Sequence, residues 1–248
     1  MARFVLVHGA FGGAWSWGEF IGQLERAGHT ATAIDLPGAG EDQTPVEGVT
    51  LDACAARVCD ALAAEPGPAI LVGHSMGGVV ITQAAARCPE RISLLVFVAA
   101  FMPRDGQSLI DLTQLPEGAG DQVQANIVVE GNPPVATMTN PDARAALMAR
   151  CSPEQIARAL ELSRPQPIAP FATPVSIPAG ALDGLRRVYI HTTEDVAIPP
   201  ALQLRMLHEN PCIEVVEIAT DHAPFLSAPE RTLAAFDRFA ELAATATV

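Results

Sequence analysis

The chain has 248 residues, 49% of them hydrophobic and 17% charged, with a formal net charge of −13. That balance builds a sizeable core and argues against disorder, and the acidic surplus argues against nucleic acid and against an anionic membrane surface. All 15 basic residues are arginine, which excludes Schiff-base chemistry, a phosphate-loop lysine and a lysine general base.

In chain order, the first apolar run is Arg3 to Val7. It starts too early and ends too soon, in a turn motif, to read as the apolar region of a secretory signal. A helical pattern from Trp17 to Ala27 stops at Gly28, and Thr30 to Ile34 reads as a second strand. Thr50 is placed to cap a helix from Leu51 to Ala64. Ala69 to Val72 is a third strand, followed by a helix from Met76 to Arg87 and a fourth strand from Leu94 to Val98.

The regularity breaks between about Phe101 and Leu185, a stretch rich in Pro and Gly with polar loops such as Gln114 to Gln124. Its clearest element is Ser152-Pro153-Glu154-Gln155, a capping box opening a helix to about Leu162. Strands then resume at Val188 to His191 and Ile213 to Ile218, with helices from Pro200 to Glu209 and Pro229 to Ala243, each starting at a proline. Alternating strands and helices predict an α/β protein with a mainly parallel sheet flanked by helices. Most of the runs are continuously apolar, as strands covered on both faces are. The expected organisation is a core domain from 1–100 and 186–248, with 101–185 inserted as a largely helical cap.

Cys54, Cys59, Cys88, Cys151 and Cys212 are odd in number and have no metal or redox spacing. They read as reduced, mostly buried residues of a cytoplasmic protein. No stretch approaches the ~20 apolar residues of a membrane span.

The chemistry concentrates in Ala69-Ile70-Leu71-Val72-Gly73-His74-Ser75-Met76-Gly77-Gly78: an apolar strand, then G-x-S-x-G, then a helix. This is the pattern of a nucleophile elbow, which holds a serine oxygen over the carboxyl edge of the sheet at a new helix's electropositive N-terminus. Such a serine needs a base, and the base an orienting acid, in the chain order serine, acid, histidine. His222, in the loop Thr220-Asp221-His222-Ala223-Pro224 after the last strand, stands where the base belongs. His191 lies in a strand pattern and His208 on a helix face, so strand-end packing and a solvated helix account for them. The acid should follow the strand Val188 to His191, where Glu194 and Asp195 both qualify; the shorter Asp195 suits a fixed contact better. Asp221 reads as a turn former and Asp105 as a distant alternative. An oxyanion needs two backbone donors, expected at Met76 and at Ala10 in the loop after the first strand. His8 and His74 are expected to hydrogen-bond locally and hold these two turns.

Further segments sharpen the picture. Val5-Leu6-Val7-His8-Gly9-Ala10 with Trp15-Ser16-Trp17, the Ser75 elbow, Ala99-Ala100-Phe101-Met102-Pro103, Cys151-Ser152-Pro153-Glu154, Arg187-Val188-Tyr189-Ile190 with Thr193-Glu194-Asp195, and Asp221-His222 form a recurring set. In these the chain resembles the α/β-hydrolase branch that holds plant methyl esterases, such as the salicylate-binding and methyl-jasmonate esterases, and plant hydroxynitrile lyases. The likeness runs from residue 3 to about 240 and is poor from Thr113 to Pro141. It implies the α/β-hydrolase fold and Asp195, rather than Glu194, as the acid. It also implies that a lyase would carry Thr at position 9 and Lys directly after the catalytic His, where this chain has Gly9 and Ala223.

The expected function is therefore a carboxylesterase acting on small to medium apolar esters through an acyl-enzyme at Ser75, with no cofactor and no metal. The expected partner is a small-molecule ester, with no nucleic acid and no membrane, and a homodimer is left open. A lyase and a non-catalytic receptor of the same fold are the rival readings. Phe11, Met76, Phe101, Leu162, Phe171 and Ala223 are the candidate pocket walls.

Overall fold

Side-chain alternation along single strands sets the architecture. In β1 (Arg3–Val7), Val5 and Val7 point into one apolar cluster while Phe4 and Leu6 point into another, all of them essentially sealed from solvent. A strand buried on both faces needs helices on both sides. The structure, a computed structural model, describes residues 1–245; positions 246–248 of the expected core segment lie outside the described residues.

The chain continues through α1 (Gly18–Arg26), β2 (Thr30–Ile34), α2 (Leu51–Ala63), β3 (Ala69–Ser75), α3 (Gly77–Arg87) and β4 (Ile92–Ala100). The segment that follows holds α4 (Leu109–Thr113), α5 (Gln122–Asn126), β5 (Ile127–Glu130), β6 (Val135–Met138), α6 (Pro141–Ala146), α7 (Pro153–Leu162), β7 (Gln166–Pro167) and α8 (Ala169–Ala172). β8 (Arg187–Thr192), α9 (Pro200–Glu209), β9 (Glu214–Ile218), α10 (Pro224–Ser227) and α11 (Pro229–Ala244) close the described chain.

Six strands form one parallel sheet in the order β2-β1-β3-β4-β8-β9. α2, α3 and α9 cover one face through residues such as Val58, Val80 and Met206; α1 and α11 cover the other through Phe20, Leu24, Phe236 and Phe239. The edge strands β2 and β9 alternate between exposed and partly buried positions, because one flank lacks a neighbour. The chain leaves β1 for β2 on one side and comes back to β3 on the other. The carboxyl ends of β1 and β3 therefore flank a crevice at a topological switch point, where ligands of such sheets bind.

Local signals act where the sequence placed them. Thr50 accepts a hydrogen bond from Ala53 N–H at 3.0 Å, and Ser152 with Gln155 closes both halves of a capping box on α7. Besides its helices, the segment between β4 and β8 carries a three-stranded antiparallel sheet in the order β5-β6-β7. Among the described residues no helix is long and apolar enough to cross a membrane.

The cysteine expectation needs correction. Cys59 on α2 and Cys88 at the end of α3 form a disulfide, with Cα atoms 6.2 Å apart, while Cys54, Cys151 and Cys212 are free. The two helices pack side by side on one sheet face and bring together residues 29 positions apart, a pairing that spacing alone does not reveal.

Candidate active site

β3 ends in Ser75, whose φ of +55° lies in the left-handed region. A non-glycine residue there carries roughly 1–3 kcal/mol of strain and persists only where its surroundings hold it. Part of that hold is a close approach at the start of α3. A Cβ on Gly77 would stand 2.8 Å from the His8 carbonyl oxygen and 2.9 Å from that of Val7, so only glycine lets the elbow pack against the end of β1. Phe101 N–H donates to the Ser75 carbonyl at 3.1 Å and ties the elbow to the end of β4.

The turn after β1 is fixed by His8, which is fully buried. Its Nε2 accepts from Leu36 N–H at 3.2 Å, so Nδ1 carries the proton and donates to the Gly9 carbonyl at 2.7 Å. Burial lowers its pKa and keeps the ring neutral. Phe11, at φ +62°, donates its N–H to Gln166 Oε1 and accepts from Arg164 N–H, linking this turn to the inserted segment. Among the described residues the N–H groups of Ala10 and Met76 find no acceptor in the protein.

His222 follows β9, and its Nδ1 lies 2.8 Å from Asp195 Oδ2. Asp195 is 3% exposed and held from several sides. Its Oδ1 accepts from the N–H groups of Ala197 and Ile198, and its Oδ2 accepts from Thr192 Oγ1 and Gln203 Nε2. On His222, burial works to lower the pKa, but attraction to Asp195, supported by Asp221 and Asp121, outweighs it and the pKa is raised. His74 donates from Nε2 to the His222 carbonyl at 2.8 Å, and burial drives its own pKa well below the usual histidine value, so it positions the loop as a neutral ring.

The other carboxylates are occupied elsewhere. Glu194 accepts two hydrogen bonds from the Arg150 guanidinium. Asp221 accepts from the N–H groups of Ala223 and Arg150, a turn-forming role that also ties the inserted segment to the His222 loop. Asp105 accepts from Ile177 N–H. His191 lies buried at a strand end beside Glu217, and His208 is exposed on α9.

Ser75 and His222 open onto one cavity of about 480 Å³, within the range of small-molecule sites. Phe11, Met76, Phe101, Phe171 and Ala223 line it. Leu162 does not. α7 turns Ile156, Ala159 and Leu160 inward, with Ser163 just past its end, and at 3.6 residues per turn Leu162 points roughly 110° away from that face. Three residues that sequence reasoning passed over also matter here. Gln203 is fully buried in α9, where a lone polar residue reads as solvated. Tyr189 staples both backbone groups of Ala100 through its hydroxyl. Asp121 lines the cavity from within a loop that read only as polar; burial raises its pKa although Gln124 and Val123 hydrogen-bond to it.

Comparison with known proteins places the fold. The alpha/beta hydrolase family matches residues 4–235. The chain belongs to that family. It is 38% identical over 238 residues to putative methylesterase 11, chloroplastic, of Arabidopsis thaliana, a match covering 92% of this chain and 61% of that protein. The chain thus spans less than two thirds of that relative's length. Among solved structures it superposes on a pyrethroid hydrolase from Sphingobium faniae JZ-2 with a TM-score of 0.87, 28% identity and 97% of each chain covered. A polyneuridine aldehyde esterase gives a TM-score of 0.85 at 28% identity, covering 96% of this chain and 99% of that one.

Proposed function

We propose that this member of the α/β hydrolase family is a carboxylesterase that hydrolyses small to medium apolar esters through Ser75, His222 and Asp195. The observation that carries the reading is the 2.8 Å contact between Asp195 Oδ2 and His222 Nδ1, made by a histidine that shares its cavity with a serine on a strained elbow. The names of the relatives, a methylesterase, a pyrethroid hydrolase and an aldehyde esterase, support ester cleavage as the reaction.

In this mechanism Ser75 Oγ attacks the acyl carbon while His222 Nε2 takes its proton. The carbonyl oxygen becomes an oxyanion and receives the N–H groups of Ala10 and Met76, both without a protein acceptor among the described residues. One such donor typically contributes roughly 3–4 kcal/mol of transition-state stabilisation. Protonated His222 gives its proton to the departing alcohol. Water then attacks the acyl-enzyme with His222 again as base, which releases the acid and restores Ser75. Residues 101–185 serve as the cap over a core of 1–100 and 186–245.

The test is Ser75→Ala. With p-nitrophenyl butyrate as substrate, kcat should fall by roughly four to six orders of magnitude with an unchanged circular-dichroism spectrum. A fluorophosphonate should label the wild type at Ser75. Retained turnover in the variant, or labelling elsewhere, overturns the assignment.

A further inference from the structure

Arg144 stands in the last turn of α6, half-buried, and forms part of the wall of the Ser75 cavity. Among the described residues its guanidinium has no ion-pair partner and donates to no protein acceptor, unlike Arg150, which grips Glu194, or Arg164, which reaches the Asp42 carbonyl. Asp121 is the carboxylate lining the same cavity, and its oxygens are taken up by Val123 N–H, Gln124 N–H and the Gln124 side chain. Burial lowers the Arg144 pKa, with no nearby carboxylate to offset it. The five N–H donors of this half-buried guanidinium, left without an acceptor from the chain, are open to one carried by a ligand in the cavity.

We infer that Arg144 binds a carboxylate carried by the substrate, so that the preferred esters are half-esters whose free acid lies at the far end of an apolar spacer. A planar guanidinium matches a carboxylate with two parallel hydrogen bonds, whereas a neutral carbonyl engages it singly. The spacer follows from the apolar part of the wall, where Leu147, Met148, Ile156, Val129 and Met138 present hydrocarbon or thioether. The chain's overall charge of −13 repels anions, so any preference for an anionic ester has to come from a local cation. This inference rests on the esterase reading for its kinetic arm, and a binding arm tests it separately.

The kinetic arm compares monomethyl esters of aliphatic dicarboxylic acids, from succinate to sebacate, with the dimethyl ester of each. The wild type should have a higher kcat/KM for the half-ester at one or more chain lengths. Arg144→Gln should lower kcat/KM for the half-esters by about tenfold or more beyond its effect on the dimethyl esters, and Arg144→Lys should restore part of that difference. The binding arm measures calorimetric affinity of the best half-ester for Ser75→Ala, with and without Arg144→Gln, and the double variant should bind about tenfold more weakly. Diesters preferred at every length, equal losses for both ester types, or binding indifferent to Arg144 would each overturn the inference. If neither ester type is hydrolysed but binding still depends on Arg144, the esterase reading fails and the carboxylate site stands.

Discussion

His222 works under opposed influences, and their balance has a pH signature. Burial favours the neutral ring; Asp195, Asp221 and Asp121 favour the imidazolium and prevail, so the pKa lies above the ordinary 6.5. In the proposed mechanism the base must be neutral to accept the Ser75 proton, so activity should be lost as pH falls through that raised value. The acid limb of kcat/KM should have its midpoint above 6.5, and Asp121→Asn should move it downward by removing one attraction. A wild-type midpoint below 6.5 would contradict this balance. Stability has the opposite sign: the His222 contribution is fully present below 6.5 and is lost as pH rises through the raised pKa. The acid is tested by Asp195→Asn, which leaves the imidazole in the wrong tautomer and should lower kcat by roughly 10⁴-fold. Glu194→Gln should cost far less, because Glu194 is spent on Arg150. Equal losses in steady-state assays would reassign the acid.

Among the elements, α9 links the fold to the site. Gln203 is fully buried in it, accepts from Thr192 N–H at 3.1 Å, donates to the Ile198 carbonyl at 2.8 Å and lies 3.2 Å from Asp195 Oδ2. Gln203→Leu fills a similar volume but leaves those groups unpaired, so denaturant unfolding should show a loss of about 1–3 kcal/mol. The kcat should fall as well, since Asp195 loses one of the groups that hold it; unchanged stability and turnover would remove Gln203 from this role. The sequence made α9 legible down to both ends, Pro200 and Glu209, yet gave no sign that Gln203 faces inward. Elements whose residues announce a backbone need, such as the Ser75 elbow, the Thr50 cap and the Ser152 capping box, could be read directly. β5 and β6 could not. Among the described residues they pair only with each other and with the two-residue β7; β5 exposes both Val128 and Val129, and β6, although its burial alternates, is only four residues long. Leu162 was misplaced for a related reason: a helix in a poorly patterned segment shows its start clearly but not which face it turns inward.

At the scale of the whole molecule, the absence of lysine separates ester hydrolysis from cyanogenesis. Cyanide leaves as an anion, so a lyase site must hold a positive charge beside it in a cavity shielded from water. This chain has no lysine anywhere, Ala223, the residue directly after His222, carries no charge, and the arginine that lines the cavity, Arg144, stands on α6 rather than in the His222 loop. The first turn adds a steric argument. A Cβ on Gly9 would stand 2.8 Å from the Ser75 Cβ and 3.1 Å from His74 Nδ1, so the threonine that the resemblance associates with lyases does not fit without moving the elbow. Gly9→Thr should therefore depress ester turnover, and combining it with Ala223→Lys should not yield an efficient lyase. In the proposed mechanism an ester's alcohol needs no such cation, because it departs with a proton from His222. The wild type should therefore hydrolyse short esters in a Ser75-dependent way and release cyanide from mandelonitrile no faster than buffer does. Enzyme-dependent cyanide release that disappears in Ser75→Ala would overturn the esterase reading, whatever the engineered variants do.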